Sequence, residues 1–271
     1  GISESDVANA FRQCANENNN NTIVDCLNLR DKYQLCDWAY LKLLEKVSET
    51  AYGMKCNEAT IFMAYLYMQS GYKMRLGSDG NKLYLLYASK HLIYDVSYFY
   101  IDGENYYGLD MLPAKLKICQ AQFPNENSLS LIINKEPLFD IYKTDGTDHK
   151  SSIGNEVVVN MKANKNRLDF YSSYPTSRIG DNVVSRWAMY ANMPMPADVA
   201  SQVYKPLNDA IRGLSQIESV NYILNWVQTG FVYEYDDKVW GDDRAFFPEE
   251  SLYYPYCDCE DRSILITRIV R

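Results

Sequence analysis

The sequence predicts an α+β fold, and three observations carry that expectation. Apolar residues recur at helical spacing over 35–47, 56–69, 220–227 and 261–270. Stretches such as Tyr98-Phe99-Tyr100-Ile101 and Tyr106-Tyr107-Gly108-Leu109 alternate as half-buried strands do, across a turn at Asp102-Gly103. Composition fits a folded globular chain, at 47% hydrophobic and 23% charged residues, and the 24 tyrosines suit β-rich or partly wet surfaces.

The 271 residues are enough for two domains, each with its own core. A net charge of −8 argues against a nucleic-acid backbone as partner and against charge-driven binding to an anionic membrane. No apolar run approaches the roughly 18–20 residues of a spanning helix. The seven cysteines (14, 26, 36, 56, 119, 257 and 259) are odd in number and irregularly spaced, so they define no disulfide framework and no redox compartment. The chain starts on Gly, and the expectation is an extracytoplasmic location, periplasmic or secreted, after removal of a signal peptide. Oligomeric state is left open.

Taken in order, residues 3–16 read as a short amphipathic helix opened by Ser3 or Ser5, and the polar run Asn16 to Asn21 as the loop that interrupts it. Leu35, Trp38, Ala39, Leu41, Leu43, Leu44 and Val47 give the next helix one broad buried face, ending by Gly53. A further helix runs from about Cys56 to Gln69 and stops at Ser70-Gly71. Strands are expected at 72–76 and 82–88, then the hairpin 96–110. Leu112-Pro113 marks a boundary. Alternation at 116–119, 128–133, 155–161 and 168–171, with turn signals at Asp145-Gly146 and Asn164-Lys165-Asn166, predicts a β-rich module. Pro194, Pro196 and Pro206 punctuate the approach to a helical C-terminal region. His149 reads as a surface-loop residue.

The C-terminal stretch Tyr254-Pro255-Tyr256-Cys257-Asp258-Cys259-Glu260-Asp261 opens the last predicted helix. Pro255 keeps the helix out of the preceding turn, Asp258 stands at the N-cap, and Asp261 follows three residues on. Cys259 then falls in the first turn, where unpaired N–H groups and the helix dipole favour a thiolate. That makes it a candidate nucleophile. The plainer alternative is a pair of ordinary or oxidation-prone thiols; Cys-x-Cys without a second Cys or His cluster is poor zinc spacing. Asp236-Asp237 and Asp242-Asp243 lack the glycine-spaced pattern of a calcium loop. No metal and no cofactor is expected.

Asp258-Cys259-Glu260-Asp261-Arg262-Ser263-Ile264-Leu265, with Arg268 following, resembles the nucleophile helix of the transglutaminase-like cysteine peptidases. The Trp226-bearing helix, Tyr233-Glu234-Tyr235-Asp236 and Phe247-Pro248-Glu249-Glu250 are similar to the segments before it, so the resemblance covers roughly residues 180–271. It is similar to bacterial members of that superfamily. Cys257 stands where Gly or Ser is usual. The resemblance assigns the nucleophile to Cys259 and binding positions to Asp258, Glu260, Asp261 and Trp226. Trp226, like Trp38, Trp187 and Trp240, also reads as a packing residue. Cys56 and Cys259 share their followers at offsets of two, four, five and ten residues: Glu58/Asp261, Thr60/Ser263, Ile61/Ile264 and Leu66/Ile269. Gly71 to Leu76 and the 99–110 hairpin also resemble the family's strands, which implies a first, divergent unit.

The expected layout is therefore a divergent transglutaminase-like unit (1–112), a β-rich module (113–178) and the front half of a second such domain (179–271). The family's order is Cys, His, Asp. The first unit offers Cys56, His91 and Asp110, with His91 expected beyond hydrogen-bond reach of Cys56. For Cys259 the resemblance implies a His and an Asp beyond Arg271, leaving the second unit chemically incomplete as it stands. The function implied is amide or peptide hydrolysis, or acyl transfer, on a protein or peptide substrate. The alternative is a non-catalytic module binding peptide or glycan.

Overall fold

A computed structural model describes residues 2–121, 126–152 and 156–271. Helices and antiparallel strands are mixed as expected of an α+β protein. Contacts divide the chain into two compact units, Gly1–Leu138 and Phe139–Arg271. The β-rich module expected over 113–178 is thus shared between them rather than standing apart.

The first unit begins with four helices, α1 (Glu4–Cys14), α2 (Glu17–Lys32), α3 (Asp37–Tyr52) and α4 (Asn57–Gln69). Ser3 caps α1 in a reciprocal box with Asp6. The asparagine run expected to be a loop is instead the first turn of α2. Asn16 Oδ1 accepts the Asn19 N–H at 3.0 Å, Glu17 faces the positive end of the dipole, and Ile23 and Cys26 are buried farther along. Capping and burial outweigh the weak helix propensity of asparagine.

Strands follow as β1 (Met74–Ser78), β2 (Leu83–Ala88), β3 (Leu92–Ile93), β4 (Tyr98–Ile101), β5 (Glu104–Gly108) and β6 (Lys117–Ile118). Five of them form an antiparallel sheet in the order β4-β5-β2-β1-β6. Residues α4 and the sheet bury together include Phe62, Met63, Leu66, Met74, Leu76, Leu85 and Leu86. Asp102 and Gly103 both have positive φ, 50° and 86°, as a two-residue hairpin turn requires. At Gly77 a Cβ would stand 2.3 Å from Leu116 Cδ2, so the missing side chain lets Leu116 close on β1. Of the alternating stretches after Pro113, 116–119 contributes β6. Segment 128–133 makes only an isolated bridge, Ser89 to Leu129.

The second unit starts with a two-stranded antiparallel ribbon, β7 (Thr147–Lys150) and β8 (Val158–Met161). The strand expected over 155–161 begins on Asn155, which lies outside the described residues. Helix α5 (Lys165–Ser172) occupies the segment read as a strand at 168–171. Asn164, read as a turn residue, is its N-cap. Next come β9 (Ser177–Arg178), α6 (Ser185–Asn192), α7 (Ala197–Ala210), α8 (Gln216–Thr229), β10 (Val232–Tyr233), α9 (Asp236–Val239), α10 (Pro248–Tyr253), β11 (Tyr256–Cys257) and α11 (Cys259–Ile269). Pro206 sits within α7 rather than ahead of it, on a helix whose Val199, Val203 and Leu207 are buried.

The core of this unit gathers Val159, Met161, Val199, Val203, Trp226, Leu252 and Leu265. Arg167 ties α5, α7 and α10 together. Its Nε donates to Glu249 (2.6 Å) and its Nη2 to both carboxylate oxygens of Asp198 (2.8 and 2.9 Å). Glu249 also accepts the Asn164 N–H at 2.9 Å, so α10 is bonded directly to the cap of α5.

Candidate active site

The start of α11 is fixed from both sides. Asp258 accepts the Asp261 N–H and Asp261 accepts the Asp258 N–H, both at 3.4 Å, closing a capping box. Asp261 Oδ1 takes in addition the Phe246 N–H at 2.8 Å. Upstream, β11 pairs in parallel with β10, setting Cys257 against Tyr233. Arg262 reaches back to the end of α8, donating to Gln228 O (3.0 Å) and Phe231 O (2.9 Å). Basic side chains at helix C-termini satisfy orphan carbonyls in this way.

This scaffold separates the two thiols. Cys257 is buried, and burial pushes its thiol up to about 11. Cys259 is the first residue of α11 and is exposed. It borders a groove of about 370 Å³ between α6 and α11. Val184, Trp187, Ala188 and Ala191 form one wall; Cys259, Glu260, Ser263, Ile264 and Thr267 form the other. An intrahelical partner is lacking for the first N–H groups of any helix. Here Asp258 takes that of Asp261, and the Glu260 N–H faces the Cys259 sulfur.

The electrostatics run against the expected thiolate. Cys259 Sγ donates to Glu260 Oε2 at 3.1 Å, and that bond, with desolvation and the charges of Glu260 and Asp258, raises the thiol above its ordinary value. The helix N-terminus contributes only about half a positive charge. Neighbouring carboxyls are displaced in turn. Burial, reinforced by Glu260 and Asp236, raises Asp258 to about 7, and burial with Asp258 raises Asp261 to about 8. Burial also raises Asp236. Carboxylate oxygens of Asp236, Asp258 and Asp261 lie within 4.8 Å of one another, as do those of Asp236, Asp243 and Glu260. Oxygen donors at such spacing could surround a hard cation, where the sequence reading expects no metal.

Trp226 does not reach the groove. It is fully buried in the core, and its Nε1 donates to His149 O at 3.0 Å. His149, expected on a surface loop, is a buried residue of β7. It stacks on Phe231 with ring centroids 4.1 Å apart, and its Nε2 lies 2.6 Å from Leu252 O. Burial lowers its pKa, and its two ring nitrogens face the carbonyls of Gly230 and Leu252, so it belongs to the packing. The polar neighbours Asp148 and Lys150 mislead because in a strand they point away from it.

In the first unit the three candidate residues are separately engaged. Cys56 is the N-cap of α4: its sulfur accepts the Ala59 N–H at 3.4 Å and lies 3.5 Å from Tyr52 O and Gly53 O. His91 Nδ1 accepts the Leu131 N–H at 3.2 Å, and burial with Lys90 lowers its pKa. Asp110 pairs with Lys82 (3.2 Å) and Lys55 (3.4 Å), which together hold its carboxyl down against the opposing effect of burial. Among the described residues no hydrogen bond joins Cys56, His91 and Asp110 to one another. Asp110 instead borders a separate cavity of about 50 Å³ with Ser48 and Glu49.

Apart from Trp187, which reads as a packing residue, the groove wall at α6 went unread in the sequence, although a signal was present. Val184, Trp187, Ala188 and Ala191 fall at the three-, four- and seven-residue spacing of one helix face. Set against protein-family models, curated proteins and solved structures, the chain matches none.

Proposed function

We propose that Cys259 is the nucleophile of an amide hydrolase or acyl transferase acting on peptide-type substrates. On this reading residues 179–271 are the nucleophile-bearing part of a transglutaminase-like domain. The carrying observation is an exposed thiol at the first position of α11, on the edge of an apolar groove. The sulfur attacks the substrate carbonyl carbon while its proton passes to Glu260 Oε2, the oxygen it already faces. Charge developing on the carbonyl oxygen meets the Cys259 N–H and the positive end of the α11 dipole. The leaving amine takes a proton from the carboxyl of Asp258, which lies within 4.8 Å of the sulfur and whose pKa burial and Glu260 raise, and a thioester remains for water or a second amine to cleave.

The test is acylation by N-acetyl-leucine p-nitrophenyl ester, followed by mass measurement of the peptide that carries Cys259. A saturable burst that labels Cys259 and vanishes in Cys259→Ser supports the reading. Labelling linear in ester and no faster than that of a small free thiol would sink it. Asp258→Asn keeps a capping oxygen; it should leave the ester reaction intact and slow the matching p-nitroanilide by about a hundredfold, since only the amide needs the proton.

One observation favours a second reading, a non-catalytic module that binds peptide or glycan. The Cys259 thiol is held protonated by Glu260. Binding to the groove without any acyl-enzyme would select that alternative.

A further inference from the structure

The groove beside Cys259 has a strongly uneven chemistry. Its floor and walls are apolar, from Val184, Trp187, Ala188, Ala191 and Ile264. At the Cys259 end stands Glu260, whose carboxylate oxygen lies within 4.8 Å of those of Asp236 and Asp243. Among the described residues Arg186, Arg244 and Arg262 lie near this end, and each is engaged. Arg186 Nη1 donates to Asp243 at 3.2 Å and its guanidinium lies over the Trp187 ring. Arg244 pairs with Glu250, and Arg262 donates to backbone carbonyls. Four carboxyl groups, those of Asp236, Asp243, Asp258 and Glu260, stand here against one bonded guanidinium among the described residues, that of Arg186, and this leaves that end acidic. Its volume, about 370 Å³, is at the lower end of the ~300–1,000 Å³ of ligand clefts, which suits one large side chain and adjoining backbone rather than a folded partner.

We propose that this groove selects peptides carrying an aliphatic or aromatic side chain beside a cationic one. The apolar side chain lies on Trp187, Ala188, Ala191 and Ile264. Its cationic neighbour faces Glu260 and Asp243, with Asp236 buried behind them. This rests on the reading of Cys259 as a nucleophile, because it names the substrate that the thiol meets. Desolvating the apolar side chain supplies affinity, while the carboxylates reject an acidic neighbour by like-charge repulsion.

The experiment uses the whole chain carrying Cys259→Ser, so that binding is measured without chemistry. Fluorescein-labelled Gly-Leu-Arg-Gly, Gly-Leu-Gln-Gly, Gly-Leu-Glu-Gly and Gly-Gly-Arg-Gly are titrated by fluorescence polarisation. The leucine–arginine peptide should bind about fivefold more tightly than the glutamine peptide and more tightly still than the glutamate peptide, a preference that shrinks as salt is raised. Replacing leucine by glycine should cost about tenfold. Glu260→Gln, at the groove's edge, should erase most of the arginine preference while leaving the leucine preference. Ala191→Phe, which fills the groove, should do the opposite; circular dichroism checks that both variants fold.

Equal affinity for the arginine and glutamate peptides overturns the proposal. So does leucine-dependent binding that survives Ala191→Phe in a folded protein. Failure of the two readings is separable: peptide binding with no acyl-enzyme in the unsubstituted chain defeats the nucleophile alone. Saturable acylation of Cys259 without the arginine preference defeats the selectivity alone.

Discussion

At Cys259 a helix N-terminus and a set of carboxylates pull the thiol in opposite directions, and the carboxylates prevail. A partial charge spread over the first turn is set against a formal charge at hydrogen-bond distance from the sulfur. Alkylation of Cys259 by iodoacetamide should therefore rise with pH through a midpoint above the ~8.5 of a free thiol. Glu260→Gln should bring that midpoint down; a midpoint unmoved by the substitution would remove the hydrogen bond as the cause. The Asp258 cap and its Asp261 partner were legible in the sequence because both act within one turn. Asp236 and Asp243 were not, since they come from α9 and the segment after it, and only tertiary packing brings them to Glu260.

Among the elements, the hairpin between β4 and β5 is where local sequence determined the geometry most directly. Asp102-Gly103 supplies two consecutive left-handed residues, and the flanking tyrosines alternate about them. Gly103→Ala should lower the unfolding free energy of the first unit by about 1 kcal/mol, measured by urea titration, because φ of 86° is strained for any residue with a Cβ. No change would mean that the turn relaxes without cost. Helices α2 and α5 show the converse. Both open on an asparagine that sequence reading took for loop or turn, yet each asparagine caps a helix whose buried face completes it. An asparagine side chain accepts a backbone N–H equally well in a turn and at an N-cap, so its identity alone does not separate the two. Pro206 was misread for a related reason: its neighbours in α7 are held by burial.

For the whole molecule, the α+β class was legible from periodicity, but the strand order β4-β5-β2-β1-β6 and the two-unit division were not. Both arise from pairings between distant segments, on which periodicity is silent. Charge balance has a consequence at this scale. Asp258 and Asp261 have folded values near 7 and 8, above the ordinary carboxylate value of 3.8. Groups raised in this direction bind more protons folded than unfolded. Their contribution is full below the unfolded value and is lost as pH rises through the folded one. Between about pH 4 and pH 8 they make stability fall with rising pH. Asp261→Asn keeps an acceptor for the Phe246 N–H and cannot ionise. Relative to the unsubstituted chain it should gain stability at pH 8.5 compared with pH 5 in paired urea titrations, and a pH-independent difference would refute the assignment.

The parallel ladder of β10 and β11 is only two residues long on each side, and Val232, Tyr233 and Tyr256 are exposed. It is nonetheless the last strand pairing before the Cys259 sulfur. Cys257, inside that ladder, belongs to the same core as Trp226 and Leu265, so the sulfur two residues on is held by the interior as well as by the capping box of α11.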